Sequence, residues 1–152
     1  MEAPSPSVLQ IARLGMVVKR GFGQAMADET WAQDAGLRPG CFGVLRAIST
    51  AGSPPSQREL SESLGMDPSD VVGLVDVLEH AGYVERQRDP GDRRRYALTL
   101  TPAGIRAHDR FLEVAETVAD SVFGALDGPE RAELDRVLAK LLQAHEPPPP
   151  GS

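Results

Sequence analysis

The sequence predicts a mainly α fold: a winged helix-turn-helix with a two-stranded β wing and terminal helices that form a dimerisation lobe. Three observations predict it. Two short helical patterns meet at Gly65 with almost no connecting chain, the spacing of a helix-turn-helix. An arginine-rich stretch around Arg94 is flanked by residues that alternate as strand residues do. Apolar positions recur at helical spacing near both ends of the chain.

The elements follow in order. Residues 1–6 and 146–152 are Pro-rich and aperiodic, and are expected to be disordered. Residues 7–36 are expected to hold an N-terminal dimerisation helix, running from Ser7 to about Trp31. Val8, Ile11, Leu14, Val18, Phe22 and Ala25 form one stripe there, and Leu9, Ala12 and Met16 a second. Gly15, Gly21 and Gly23 inside this helix point to a bend or a close helix approach. Residues 37–101 form the winged helix-turn-helix region. Its first helix opens near Pro39 and places Cys41, Val44, Leu45 and Ile48 on one face. Ser56 and Glu59 make a capping box for a short helix that Gly65 ends. Asp67 caps the next helix, with Pro68 at its first position, and that helix runs to about Ala81. After Gly82, Tyr83 to Arg88 reads as a strand, Asp89-Pro-Gly-Asp92 as a type II turn, and Tyr96, Leu98 and Leu100 as the returning strand. Residues 102–145 hold the C-terminal dimerisation helices. The first, capped by Thr101 and Pro102, carries Ile105, Leu112, Ala115, Val118, Val122 and Leu126; the second carries Leu134, Val137, Leu138 and Leu141.

The chain has 152 residues and is 41% hydrophobic, enough for one core. Its single cysteine excludes an internal disulfide. No apolar run reaches the roughly 18 residues of a membrane span, so a cytoplasmic protein with no membrane partner is expected. The net charge is −6, but residues 83–110 hold seven arginines against four carboxylates, a local charge of +3. The basic patch is therefore small and set in an acidic body, which suits a local contact with phosphates and not a general basic coat.

The segment Asp92 to Thr101, DRRRYALTLT, contains Asp, one residue, Arg, five residues, then Leu-Thr: Asp92, Arg94, Leu100 and Thr101. With SQRELSESLGMDPSDVVGLVDVLEHAGYVERQRDPGDRRRYALTLTPAG around it, the chain resembles the MarR family of transcription regulators over roughly residues 30 to 145. The resemblance implies a homodimer that binds double-stranded DNA at a pseudo-palindromic site and acts as a repressor released by an effector. It implies that Arg94 enters a minor groove at the wing tip, that Asp92 supports that arginine or its turn, and that Arg93 and Arg95 approach phosphates. Ser56 and Gln57 are expected to add phosphate contacts.

The helix after Asp67 departs from the pattern. It has no Arg, Lys, Asn or Gln, while Asp67, Asp70, Asp76 and Glu79 make it acidic, and strong base readers are usually basic or amide-rich. Ser69, Asp70 and Val72 are the candidate base contacts. Asp70 can accept from a cytosine amino group, yet as the third helical residue it also stabilises the helix start, and the capping role is preferred. This acidity motivates the alternative of a dimeric effector-binding or partner-binding protein with weakened DNA binding. Cys41 is read as a core residue in preference to an oxidant sensor. His80, His108 and His145 are too scattered for a metal site, and no cofactor is expected. In the family resembled, effectors often bind between the dimer helices and the DNA-binding lobe; Trp31, Phe42, Arg46 and His108 are the candidate lining here, for a small aromatic or phenolic effector. No catalytic constellation is present, so the chain is not read as an enzyme.

Overall fold

The computed structural model describes residues 6–146, so the expected disorder of residues 1–5 and 147–152 lies outside the described residues. Seven helices and one antiparallel hairpin follow in order: α1 (Pro6–Ala27), α2 (Thr30–Asp34), α3 (Cys41–Thr50), α4 (Gln57–Leu64), α5 (Pro68–His80), β1 (Val84–Arg88), β2 (Tyr96–Leu100), α6 (Pro102–Phe123) and α7 (Gly128–Gln143). Pro6 is already helical, which moves the expected N-terminal boundary forward.

The helix-turn-helix forms for local reasons. At α4 both arms of the capping box are made: Glu59 N donates to Ser56 Oγ at 3.2 Å and Ser56 N to Glu59 Oε2 at 2.8 Å. Such a cap is worth about 1 kcal/mol. Gly65 ends the helix in the left-handed region at φ 61°. Asp67 then accepts from the Ser69 backbone N at 2.9 Å and opens α5. In β1 and β2 the register pairs Val84 with Leu100 and Arg88 with Tyr96.

The core lies between α3, α4, α5, the hairpin and the first half of α6. Cys41, Val44, Leu45, Leu60, Val71, Val75, Leu78, Val84 and Leu98 are buried together, with Phe111 and Ala107 closing the cluster. The expected stripes of α3 and α5 are thus both internal. The wing is locked to α6 at its base. Thr101 Oγ1 donates to Gly82 O at 2.6 Å and accepts from Gly104 N at 3.0 Å. Gly104 is pressed so close that a Cβ there would stand 1.9 Å from the Tyr83 carbonyl oxygen, a position only glycine fits.

Four expectations are corrected. The helix expected from Ser7 to about Trp31 breaks at Asp28 and Glu29, because Trp31 turns inward to meet Phe111 edge-on at 5.2 Å and α2 must start afresh to place it. α3 begins at Cys41, not Pro39, after Gly40 at φ 97°. Gly91 does not have the positive φ of a type II turn; Asp89 and Asp92 override it by accepting backbone N–H groups two residues on, from Gly91 at 2.8 Å and Arg94 at 2.9 Å. In α6 the buried face is Ala107, His108, Phe111, Val114 and Val118, whereas Ile105 is exposed. The phase is set by the aromatic contacts of Phe111.

The ends of the chain differ from this body. Neither α1 nor α7 buries a residue among the described residues. α1 reaches the body through its second half, where Phe22 stacks on Phe42 and a Cβ on Gly21 would stand 3.1 Å from Val118 Cγ1. Gly21 therefore marks a close helix approach, while Gly15 and Gly23 face open space.

Candidate nucleic-acid interface

The wing presents its arginines unequally. Arg93 and Arg94 are exposed at the tip. Asp92 Oδ1 accepts from the Arg94 backbone N, and Arg95 N closes the turn on Asp92 O at 3.0 Å, so Asp92 holds the turn and not the guanidinium. Arg95, expected to approach phosphates, is instead directed inward. Its Nη2 lies 2.5 Å from Glu59 Oε2 and its Nε 3.5 Å from Asp89 Oδ2. Arg86 pairs with Asp76 and, at 2.6 Å, with Glu79, both on α5. The hairpin is thus fastened to both helices of the helix-turn-helix, to α4 through Arg95 and to α5 through Arg86.

Glu59 joins cap and latch. Burial pushes its carboxyl up, but the hydrogen bonds from the Ser56 N–H and Arg95, with the Arg95 charge, outweigh burial and hold it below the usual value of 4.5. Between α4 and the wing lies a cleft of about 560 Å³ lined by Ser56, Gln57, Arg58, Arg94 and Tyr96 among others. Ser56 is occupied as a cap acceptor but keeps its own proton to donate. Gln57 is half-buried, with its Nε2 unpaired in the protein.

On α5, Val71, Leu74, Val75 and Leu78 face the core, and Ser69, Asp70 and Val72 are exposed as the sequence requires. The Ser69 hydroxyl donates to Asp67 at 2.6 Å, and that bond with the backbone one lowers the Asp67 pKa. The acidity of the helix is also somewhat less than its composition suggests, since Arg86 is shared by Asp76 and Glu79 and offsets one of their two charges.

A second site lies where α1, α2, α3 and α6 meet. Phe42 stands 5.2 Å from Phe111, 6.0 Å from Phe22 and 6.1 Å from His108, and Trp31 lies 5.2 Å from Phe111. Trp31, Phe42 and His108 are therefore brought together, with Phe111 at the centre; Arg46 is exposed on α3 and joins none of these ring contacts. Sequence reasoning missed two further residues. Phe111 supplies the ring that unites the cluster, and Arg110 lies 5.5 Å over the Trp31 ring beside an open cavity of about 470 Å³. His108 is 5% exposed with its Nε2 unpaired in the protein. Cys41 is fully buried, and burial pushes its thiol pKa up, against the activation a sensor needs. Among the described residues no group of His, Cys, Asp and Glu could hold a metal ion, and no helix is long and apolar enough to cross a membrane.

The chain is similar to known proteins over most of its length. The sequence profile of the MarR family matches residues 35–95, from before α3 to the wing. A protein of Thauera aromatica named as the transcriptional regulator of the hcr operon is 36% identical over 132 residues, covering 84% of this chain and 78% of its own. The HTH-type transcriptional repressor NicR of Pseudomonas putida is 30% identical over 105 residues, 69% of this chain and 66% of its own. Among solved structures, CouR of Rhodococcus jostii RHA1, bound to p-coumaroyl-CoA, superposes with a TM-score of 0.72 at 26% identity, covering 91% of this chain and 92% of that one.

Proposed function

The chain belongs to the MarR family of transcriptional regulators, which are not enzymes, and on that premise we propose that it is a homodimeric repressor of a pseudo-palindromic operator, released by a small aromatic effector. The observation that carries this reading is the sorting of the wing arginines. Arg86 and Arg95 are spent on fixing the hairpin, and Arg93 and Arg94 are left exposed on a turn that Asp92 makes rigid. A fixed hairpin with free guanidinium groups at its tip suits entry into a minor groove, where narrow width concentrates negative potential. Ser56, Gln57, Ser69, Asp70 and Val72 would complete the contact.

The dimer reading is supported by the apolar surface of the terminal helices. Val8, Leu9, Ile11, Leu14, Met16 and Val17 of α1 and Val137, Leu141 and Leu142 of α7 are exposed, a patch too extensive for a lone soluble chain. Pairing these faces in a second copy would set two α5 helices about 34 to 36 Å apart, one duplex turn. Repression is supported by the name of the Pseudomonas relative. The effector reading rests on the CouR complex and on the ring cluster of Trp31, Phe42, His108 and Phe111, where Arg110 offers a cation to a ligand carboxylate. Since that cluster joins α1 and α6 to α3, a ligand there would bias the angle between the terminal helices and the reading heads, linking its affinity to that for DNA.

Selection of bound fragments from random duplex DNA tests the proposal. A palindrome with half-sites one turn apart is the expected result. Enrichment of no sequence would favour the other reading, a dimeric effector-binding or partner-binding protein of the same fold with weakened DNA binding, which the lack of Arg, Lys, Asn and Gln on α5 supports.

A further inference from the structure

The face of α5 opposite its core stripe carries Ser69, Gly73, Asp76 and His80, and no residue of this helix offers a guanidinium, ammonium or amide. The structure brings one there from another element. Arg38, in the loop between α2 and α3, lies across Gly73: a Cβ on that glycine would stand 2.8 Å from Arg38 Nη2 and 3.9 Å from its Cζ. The side chain thus occupies the space that the residue at position 73 would otherwise fill.

The loop that delivers Arg38 is held at both ends. Gly36 and Gly40 take left-handed conformations at φ 67° and 97°. Leu37 N donates to Ala32 O at 2.9 Å, and Cys41 N donates to the Arg38 carbonyl at 3.1 Å. Gly40 packs so closely that a Cβ there would be 3.0 Å from Leu74 Cδ1 on α5 itself. Arg38 is exposed and, unlike Arg58, Arg86, Arg95, Arg131 and Arg136, takes part in no ion pair among the described residues.

We propose that Arg38 is a specificity-determining residue, which supplies from outside the helix-turn-helix the major-groove guanidinium that α5 lacks. This rests on the reading of the chain as an operator-binding regulator. Its partner is a guanine edge, whose O6 and N7 accept the two parallel N–H groups of an arginine. A phosphate is disfavoured as the partner because the flanking face carries Asp70, which takes part in no ion pair among the described residues and whose carboxylate repels the backbone, whereas a guanidinium beside it can still reach a base edge. The glycine at position 73 is the complementary half of the device, since any side chain there would displace Arg38.

The test uses the full chain, a palindrome selected with it, and variants of that palindrome with each guanine replaced in turn. Arg38→Ala should bind the selected duplex roughly tenfold or more weakly and lose its preference at one guanine of each half-site, with an unchanged melting temperature. Arg38→Lys, which keeps the charge without the paired donors, should lose the same preference while the salt dependence stays as in the parent. Arg38→Ala combined with Gly73→Arg should regain a guanine preference, because the cation returns from the helix. Loss of affinity that is equal on every duplex would mark Arg38 as a phosphate contact and overturn the proposal. So would parental affinity and preference in Arg38→Ala, with the operator reading intact in both cases. If the parent chain itself selects no sequence, the operator reading fails and this inference falls with it.

Discussion

The region from α3 to the start of α6 and the terminal helices α1 and α7 are built by different rules. The first closes on itself: Cys41, Val44, Leu45, Val71, Val75 and Leu78 leave almost no surface, both hairpin strands contribute a buried residue, and ion pairs fasten the wing to α4 and α5. The terminal helices have the hydrophobic pattern of a core and no core to fill, with Leu9, Ile11 and Leu14 left at 54%, 54% and 39% exposure. The reading head is therefore preset within one chain, and on the proposed homodimer reading the lobe that spaces two heads would be finished only between chains. A regulator built this way can change the distance between its heads without disturbing the geometry of either.

The sharpest way to break this comparison is to add one methyl group to each region. Gly104→Ala would drive a Cβ into the Tyr83 carbonyl, which belongs to the locked base of the wing and cannot yield. A loss on the order of 4 kcal/mol or more, in the exceptional range for a single substitution, is expected in denaturant unfolding. Gly15→Ala on α1 meets open space and should be neutral or stabilise by up to about 1 kcal/mol. Equal effects at the two sites would abolish the distinction.

A charge on the unfinished face should act on assembly and not on the head. Leu14→Asp is expected to convert dimers to monomers in sedimentation while the wing-to-α4 contacts survive; a stable dimer would show that α1 does not carry the interface. Inside the head, Cys41→Ser puts a hydroxyl where a fully buried thiol stood, at a cost of about 1 to 3 kcal/mol. In the native protein Cys41 should react with thiol reagents only as fast as the head opens, so immediate labelling would contradict its burial.

The smallest effect is one of pH. Glu59 has a lowered pKa when folded, so its contribution to stability is complete above the usual glutamate value of 4.5 and is lost as the pH falls through the folded value. The melting temperature of the parent should therefore drop toward that of Glu59→Gln on acidification below 4.5. A difference between the two that stays constant across that range would show that the charge of Glu59 does not hold the wing.

What was legible in the sequence was what neighbouring residues decide. Ser56 with Glu59, Gly65, Asp67 with Pro68, and Thr101 with Pro102 are caps whose partners lie within a few positions, and all of them form. What was not legible depends on residues far apart. The break at Asp28 answers to Phe111, which Trp31 must reach across the fold. The pairing of Arg95 with Glu59 spans 36 positions, so a basic run gave no sign that one of its members faces inward. Arg38 comes to Gly73 by a loop whose path depends on the packing of Gly40 against Leu74, which composition does not encode. Of the candidate effector residues, Trp31 and Phe42 are brought together because each faces Phe111, His108 joins them by facing Phe42 from the same side of α6 as Phe111, and Arg46 makes none of these contacts.

The central claim is that the wing reads DNA through its tip, and Arg94 tests it most directly. Labelled duplexes carrying the selected operator would be titrated with the parent, Arg94→Ala and Arg93→Ala at several salt concentrations. The account predicts that Arg94→Ala weakens operator binding by about 1 to 3 kcal/mol per contacting subunit, the scale of one good groove contact, with dimerisation and melting temperature unchanged. Arg93→Ala should weaken binding to every duplex alike and reduce the log-log salt slope by about one unit per lost phosphate contact. If Arg94→Ala bound the operator as tightly as the parent at every salt concentration, the wing would not be a reading element and the account would be wrong.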